Sequence, residues 1–415
     1  MSPNAKLLGM AQKDISYAKI VQLLCLDISS VVQEMIDEKL PFDIFCDVFG
    51  ELTFRDRVRC TGVSRRWRDI LLVQWPGMWH TIEYKDTRWN PDPSEFMGFL
   101  AWLSNAPPGG VRYLTCIHGP AFLNALVDLL YHKRFPRLQA LRLISRNRLR
   151  MPPSLDPRKL LADRLERLEL AHFRPPDDYG DSPTSARIPS HNYLTEFRWS
   201  SDVPLPLFMV KQWPNLRLLA VWSYAIQGKV PELPSSSSTS HLKADPTGGL
   251  EKLILRPYDY DDTIYAADLV FRNRRTLLHL DINASQVDIR PFIEMPRLQH
   301  LHVTNTVFSQ RQILDLVACC PQLQILHLEG LSCTQFEAGE QRSAELEEER
   351  SIPLPCLRKI VLNECNWVDD TFIRSLNKLD ALTDVSIRMC YGITEMGRNI
   401  LLIDKAPNLE RLYFT

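Results

Sequence analysis

A six-residue pattern, L-x-x-h-x-h with h apolar, recurs from Leu138 to the end of the chain and restricts the fold more than any other feature. The copies are LQALRL from Leu138, LERLEL from Leu165, LTEFRW from Leu194, LRLLAV from Leu216, LEKLIL from Leu250, LLHLDI from Leu277, LQHLHV from Leu298, LQILHL from Leu323, LRKIVL from Leu357, LTDVSI from Leu382 and LERLYF from Leu409. Their leading leucines are 27, 29, 22, 34, 27, 21, 25, 34, 25 and 27 residues apart. A period of roughly 20 to 50 residues marks an array of stacked units instead of one closed core. In a strand, residues two apart share a side. Leu141 and Leu143, or Leu326 and Leu328, therefore face inward, while Arg142 and His327 face outward. One unit cannot bury its own leucines, but stacked units can, and the stack forms a continuous parallel sheet.

Proline stands two residues before the leading leucine in six copies, at Pro136, Pro214, Pro296, Pro321, Pro355 and Pro407. Proline ends a preceding helix and sets up an extended chain. Segments such as Ser309–Cys319 and Asp370–Leu376 carry helical spacing, so each unit reads as a strand followed by a helix. The shared prolines argue against an α/β domain with ordinary amphipathic strands. Tyr113–Ile117 with the apolar run Phe122–Tyr131 reads as a degenerate first unit.

This region resembles the leucine-rich repeat family, and its last copies resemble the cysteine-containing subtype, with Cys365 and Cys390 eight residues after the leading leucine. Other copies carry Arg146, Phe173, Tyr224, Tyr258, Ser285, Thr306 or Leu331 at that position, which implies irregular outer half-turns.

Residues 40–70 place apolar side chains at helical spacing, at Ile44, Val48, Phe49 and Leu52, then Val58, Val63, Trp67 and Ile70. Asp43 and Asp56 sit where helix starts would welcome carboxylates. A cluster this short is near the lower limit of independent stability, so part of its apolar face is expected to be covered. The segment is similar to an F-box: Leu40 and Pro41 match the family's entry, Ile44, Val48, Phe49 and Leu52 its first helix, and Asp56, Cys60, Val63, Ser64 and Trp67 its later positions. Pro76–Trp79 suits the family's exit into a first strand. The resemblance implies docking on a Skp-type adaptor and, through it, on a cullin, with Leu40, Pro41, Ile44, Val48, Phe49, Leu52, Val63 and Trp67 as docking or motif-core residues. A helical cap closing the repeat array is the structural alternative.

Composition narrows the functional classes. Lysine and arginine total 49 against 50 acids, so no basic field for nucleic acid covers the chain. No apolar run of the length of a membrane span and no signal-peptide pattern occurs. Ten scattered cysteines without Cys-x-x-Cys suggest neither a zinc framework nor a disulfide scaffold, and a cytoplasmic or nuclear location is expected. Nucleotide-binding, zincin and hydrolase fingerprints are missing, so neither catalysis nor a cofactor is expected.

Strand alternation nominates Trp222, Arg256, Asn283, His302, His327, Glu329, Asn363 and Arg388 as the outward face for an unknown protein substrate. His302 and His327 occupy equivalent positions in successive copies, as do His279 and His300. Neighbouring strands, about 4.8 Å apart, bring such histidines together. A zinc site wants three or four converging ligands with fixed supporting partners, and the expectation here is a polar protein-binding patch with no metal. Basic runs at Arg146–Arg150 and Arg272–Arg275 read as solvated surface. Three inserts, Pro175–Pro189, Ser235–Ser240 and Glu337–Arg350, have the composition of solvated loops. Ile20, Leu24, Ile28, Val31 and Met35 form a stripe that suits a core or self-association helix.

The expected organisation is α/β: an N-terminal segment with an amphipathic helix over 1–37, a helical F-box over 38–80, a linker with a degenerate first repeat over 81–135, and leucine-rich repeats over 136–415. The repeats would form a curved solenoid with a parallel sheet on its concave face. The implied function is the substrate-recognition subunit of a cullin-based ubiquitin ligase, with a non-catalytic repeat scaffold as the alternative. Only Thr415 follows the last strand pattern, so its edge is expected to be blunted by a partner or by further residues.

Overall fold

The computed structural model describes residues 40–86, 92–133, 135–146, 160, 164–173, 192–201, 213–223, 249–256, 269–283, 294–304, 317–330, 355–365, 368–402 and 409–414. The stripe from Ile20 to Met35, the three inserts, most of Ser309–Cys319 and the positions Tyr224, Tyr258, Ser285, Thr306 and Leu331 lie outside the described residues. The chain divides into two compact units, Met1–Arg146 with Leu160–Leu165, and Asn147–Lys159 with Glu166–Thr415.

The first unit begins with three short helices, α1 (Phe42–Glu51), α2 (Phe54–Cys60) and α3 (Arg65–Asp69). Their starts are local chemistry. Thr53 Oγ1 accepts from the Asp56 amide at 3.2 Å while its hydroxyl donates to the Asp56 carboxylate at 2.7 Å, and Ser64 Oγ accepts from the Trp67 amide at 3.2 Å. Such caps satisfy amides that a helix start leaves free and contribute about 1 kcal/mol each. A π-helical turn, Ile70–Gln74, follows α3 and closes with the Trp75 amide on the Ile70 carbonyl at 2.7 Å. After α4 (Gly77–His80), β1 (Thr81–Lys85), β2 (Tyr113–His118) and β3 (Ala140–Ser145) lie side by side and parallel, with Ile82, Leu114 and Leu141 aligned and buried. Two longer helices intervene, α5 (Pro93–Asn105) and α6 (Pro120–His132).

The second unit is a parallel ladder in chain order: β4 (Arg167–Ala171), β5 (Glu196–Ser201), β6 (Leu218–Ser223), β7 (Lys252–Arg256), β8 (His279–Asn283), β9 (His300–Thr304), β10 (Ile325–Glu329), β11 (Lys359–Asn363), β12 (Asp384–Arg388) and β13 (Arg411–Phe414). One row of inward side chains runs through it, from Leu170 through Trp199, Val221, Leu255, Ile282, Val303, Leu328 and Leu362 to Ile387 and Phe414. All of these are buried except Phe414. Each leucine-led copy in the sequence is one strand of the structure, and Tyr113–Ile117 is β2. The leading leucines are buried through Leu382, each worth about 2 kcal/mol over exposure. Leu409 is only half-buried, and β13 pairs with β12 alone among the described residues. Helices α7 (Asp370–Asn377) and α8 (Glu395–Ile400) start on the side-chain oxygens of Asp369 and Thr394.

The recurrent prolines have a more specific role than ending helices. The amides of Leu138, Leu216, Leu298 and Leu323 donate to the carbonyls of Phe135, Trp213, Met295 and Cys320 at 3.0 to 3.2 Å. Proline is thus the second residue of a four-residue β-turn, where its fixed φ is already correct. The first residue of each of these turns is buried and apolar, and the last is the leading leucine.

Chain exits from the strands also repeat. His172, Gly330, Glu364 and Met389, each just past a strand, have φ between 51° and 64°. Glycine carries this conformation without strain and the other three carry it at a cost. Buried Phe173, Cys365 and Cys390 follow three of them, and the two thiols donate to the Leu328 and Leu362 carbonyls at 3.5 and 3.8 Å.

Candidate interaction surfaces

Helices α1 to α3 form a small aromatic core. Phe45 and Phe49, one turn apart on α1, meet Trp67 of α3 with ring centroids at 5.7 and 5.3 Å, and Trp75 closes on Phe49 at 6.0 Å. Arg66 lies over the Phe45 ring and donates to the Leu40 carbonyl at 3.1 Å, tying the entry of α1 to α3. Arg57 is buried and donates to the carbonyls of Gly77, Met78 and Thr81 at 2.7, 3.0 and 2.7 Å, which pins α2 to the entry of β1. Burial lowers its pKa from the ordinary guanidinium value.

With the core complete, several large apolar side chains remain in solvent. Phe42 keeps 41% of its surface exposed, Ile44 45%, Leu72 37% and Val73 80%. Pro41 is exposed as well, and Leu40, Val48, Leu52 and Val63 are half-buried. Exposed apolar groups of this size on one small domain are candidates for contact with a partner. The structure therefore sorts the eight motif residues. Phe49 and Trp67 are core, Pro41 and Ile44 are solvent-facing, and Leu40, Val48, Leu52 and Val63 lie between. Phe42, Phe45, Arg57, Leu72 and Val73 were not singled out from sequence. Helical spacing alone does reveal Phe45, which stands four residues before Phe49.

On the second unit, the outward positions of β7 to β11 build a connected polar cluster. Arg256 Nε and Nη2 donate to both oxygens of Asp281 at 3.1 and 2.9 Å, a bidentate pair. Asp281 faces His302 in register, with its Oδ2 3.3 Å from His302 Nδ1. Arg256 Nη2 is 3.1 Å from the same ring nitrogen. His302 and His327 stack with centroids 4.0 Å apart and planes 7° apart. His302 Nε2 is 3.6 Å from Glu329 Oε2, and Asn363 Nδ2 donates to Glu329 Oε1 at 3.3 Å.

The electrostatics follow from burial and contact. Burial pushes the Asp281 carboxyl up, but the hydrogen bonds from His302 and Arg256 outweigh it and hold the pKa below the ordinary carboxylate value. The His327 pKa falls to about 4, chiefly through burial and then through the neighbouring His302. His279 and His300 form a second pair, 5.4 Å between centroids. Burial, followed by Lys252, lowers His279 to about 4 and also lowers His300.

Of the eight proposed face residues, Arg256, His302, His327, Glu329 and Asn363 are brought together. Trp222 is half-buried in register with Arg256, Asn283 ends β8 in register with Thr304, and Arg388 is exposed on β12. Asp281, the link between Arg256 and His302, was missed, although the same alternation places it outward between Leu280 and Ile282. Arg146, read as solvated surface, donates to the Asp86 carbonyl at 2.6 Å. Its four following residues are outside the described residues.

Residues 37–82 match the model of the F-box-like family, and this part of the chain is an F-box-like domain. No curated protein matches the chain. Among solved structures the chain is similar to one in the crystal structure of the Rad7 and Elc1 complex in yeast, at 13% identity and a TM-score of 0.43, covering 99% of this chain and 92% of that one. No helix among the described residues is long and apolar enough to cross a membrane.

Proposed function

We propose that the protein is the substrate-recognition subunit of a cullin-based ubiquitin ligase: the F-box-like domain docks on a Skp-type adaptor, and the outward face of the repeats holds a protein substrate. The observation that carries this reading is the division of apolar residues in the domain. Phe45, Phe49, Phe54, Trp67, Ile70 and Leu71 are buried in its core, while Pro41, Phe42, Ile44, Leu72 and Val73 stay available to a partner. The protein performs no bond chemistry in this scheme. It raises the local concentration of a target near the transfer machinery by holding both at once. Apolar anchors in the adaptor interface supply most of the affinity.

Purified adaptor should be captured by the wild-type chain and not by the Leu40→Ala/Pro41→Ala variant, while thermal unfolding of the repeats is unchanged. Equal capture by both would reject the assigned surface. Capture without ubiquitin transfer in a reconstituted reaction would favour a repeat scaffold that recruits the adaptor for another purpose.

A further inference from the structure

We propose that His302, His327 and Glu329 form a binding site for a divalent transition metal, zinc by preference, on the outward face of β9 and β10. One donor atom from each residue lies within 4.8 Å of the other two. Two nitrogens and a carboxylate oxygen are the donor set of three-ligand zinc sites, and calcium and magnesium favour all-oxygen sets.

The most specific observation is His302 Nε2. It is sealed from solvent without a hydrogen-bond partner, and its 3.6 Å separation from Glu329 Oε2 is too long for a hydrogen bond. Two ligands about 2.1 Å from one tetrahedral zinc stand about 3.4 Å apart. The spacing thus fits two donors that share an ion better than two that share a proton.

Supporting contacts are also in place. Asp281 faces the other nitrogen of His302 at 3.3 Å and is itself clamped by Arg256, the carboxylate–histidine arrangement that fixes a ligating ring. Asn363 holds Oε1 of Glu329 and leaves Oε2 to coordinate. The stacked rings place their nitrogens side by side, and loading requires His327 to turn about its side-chain bonds until both lone pairs meet at one point. Three protein ligands leave a fourth position for water or for a side chain of a bound protein.

The site is independent of adaptor docking and is testable on the purified full-length chain. After metal is stripped, zinc titrated against a chelating indicator should saturate one site of this kind, and cobalt(II) should give visible bands of a nitrogen/oxygen tetrahedral centre without thiolate charge transfer. His302→Ala and His327→Ala should each weaken zinc by at least about 100-fold. Asp281→Asn, a positioning change, should weaken it by about 10- to 100-fold. His279→Ala should leave it unchanged. The wild-type cobalt spectrum needs no variant, so its absence rejects the site even where a substitution unfolds the chain, and the folded variants then locate the ion. Absence of saturable binding, a thiolate band that assigns the ion to cysteines, or undiminished binding by folded His302→Ala/His327→Ala would overturn the proposal.

Discussion

Ile44→Asp separates adaptor docking from folding. Ile44 keeps 45% of its surface in solvent, so covering that exposed part in an interface contributes about 1 kcal/mol. An uncompensated carboxylate in the same place adds a desolvation penalty of about 3 kcal/mol. Together these weaken adaptor affinity by roughly 1,000-fold. Folding should hardly notice. Position 44 is in the first turn of α1, where an added negative charge gains about 0.3 to 1 kcal/mol from the helix dipole. That gain offsets most of the half-buried isoleucine surface given up. Titration of purified adaptor by calorimetry, with thermal unfolding of the same sample, reads both quantities. A Kd within about threefold of wild type and an unchanged Tm would refute the placement of Ile44 in the interface.

Arg57→Ala removes three hydrogen bonds from a buried cation and should destabilise the first unit by about 3 to 5 kcal/mol, read as a lower urea midpoint. Asp281→Ala leaves Arg256 without its bidentate partner and should cost about 1 to 3 kcal/mol, the lower end reflecting the partial exposure of Arg256. His279 has a folded pKa of about 4 against an ordinary value near 6.5, so the unfolded chain takes up a proton that the fold refuses. Stability therefore falls as pH drops from about 6.5 to 4. Halved for partial solvent access, the loss is about 1.5 kcal/mol, and His279→Gln should reduce the fall of the stability–pH curve there by that amount while His327 keeps contributing its own.

Much of the fold was legible because its dominant force is periodic. The repeated L-x-x-h-x-h pattern announces strands, and each copy from Leu138 to Leu409 became one. Helix α5 escaped notice because Phe96, Phe99 and Leu103, its buried residues, carry no repeat signature. Within the F-box-like domain, helical spacing identified apolar positions but not their destination. Phe49 and Ile44 are both apolar and close in sequence, yet one is sealed against Trp67 and the other faces solvent. Only the packing of three helices decides between them. The polar cluster was partly visible: alternation put His302 beside His327 and Asp281 beside His302, but the Arg256–Asp281 pair joins positions two residues out of line and depends on the reach of the arginine side chain.

The hydrogen bonds at the strand entries also explain how unequal spacings coexist with a regular sheet. Leading leucines separated by 34 residues, Leu216 to Leu250 and Leu323 to Leu357, still deliver strands paired residue for residue, as Leu218 does with Lys252 and Ile325 with Lys359. The two amides that follow each of these leucines, Glu251 and Lys252 on the Arg217 carbonyl and Arg358 and Lys359 on the Gln324 carbonyl, fix the alignment locally, whatever length of chain came before. Doubling such a connection costs only about 0.6 kcal/mol of closure entropy. The arcs between strands are therefore free to grow or shrink by descent, and the ladder does not carry the error forward.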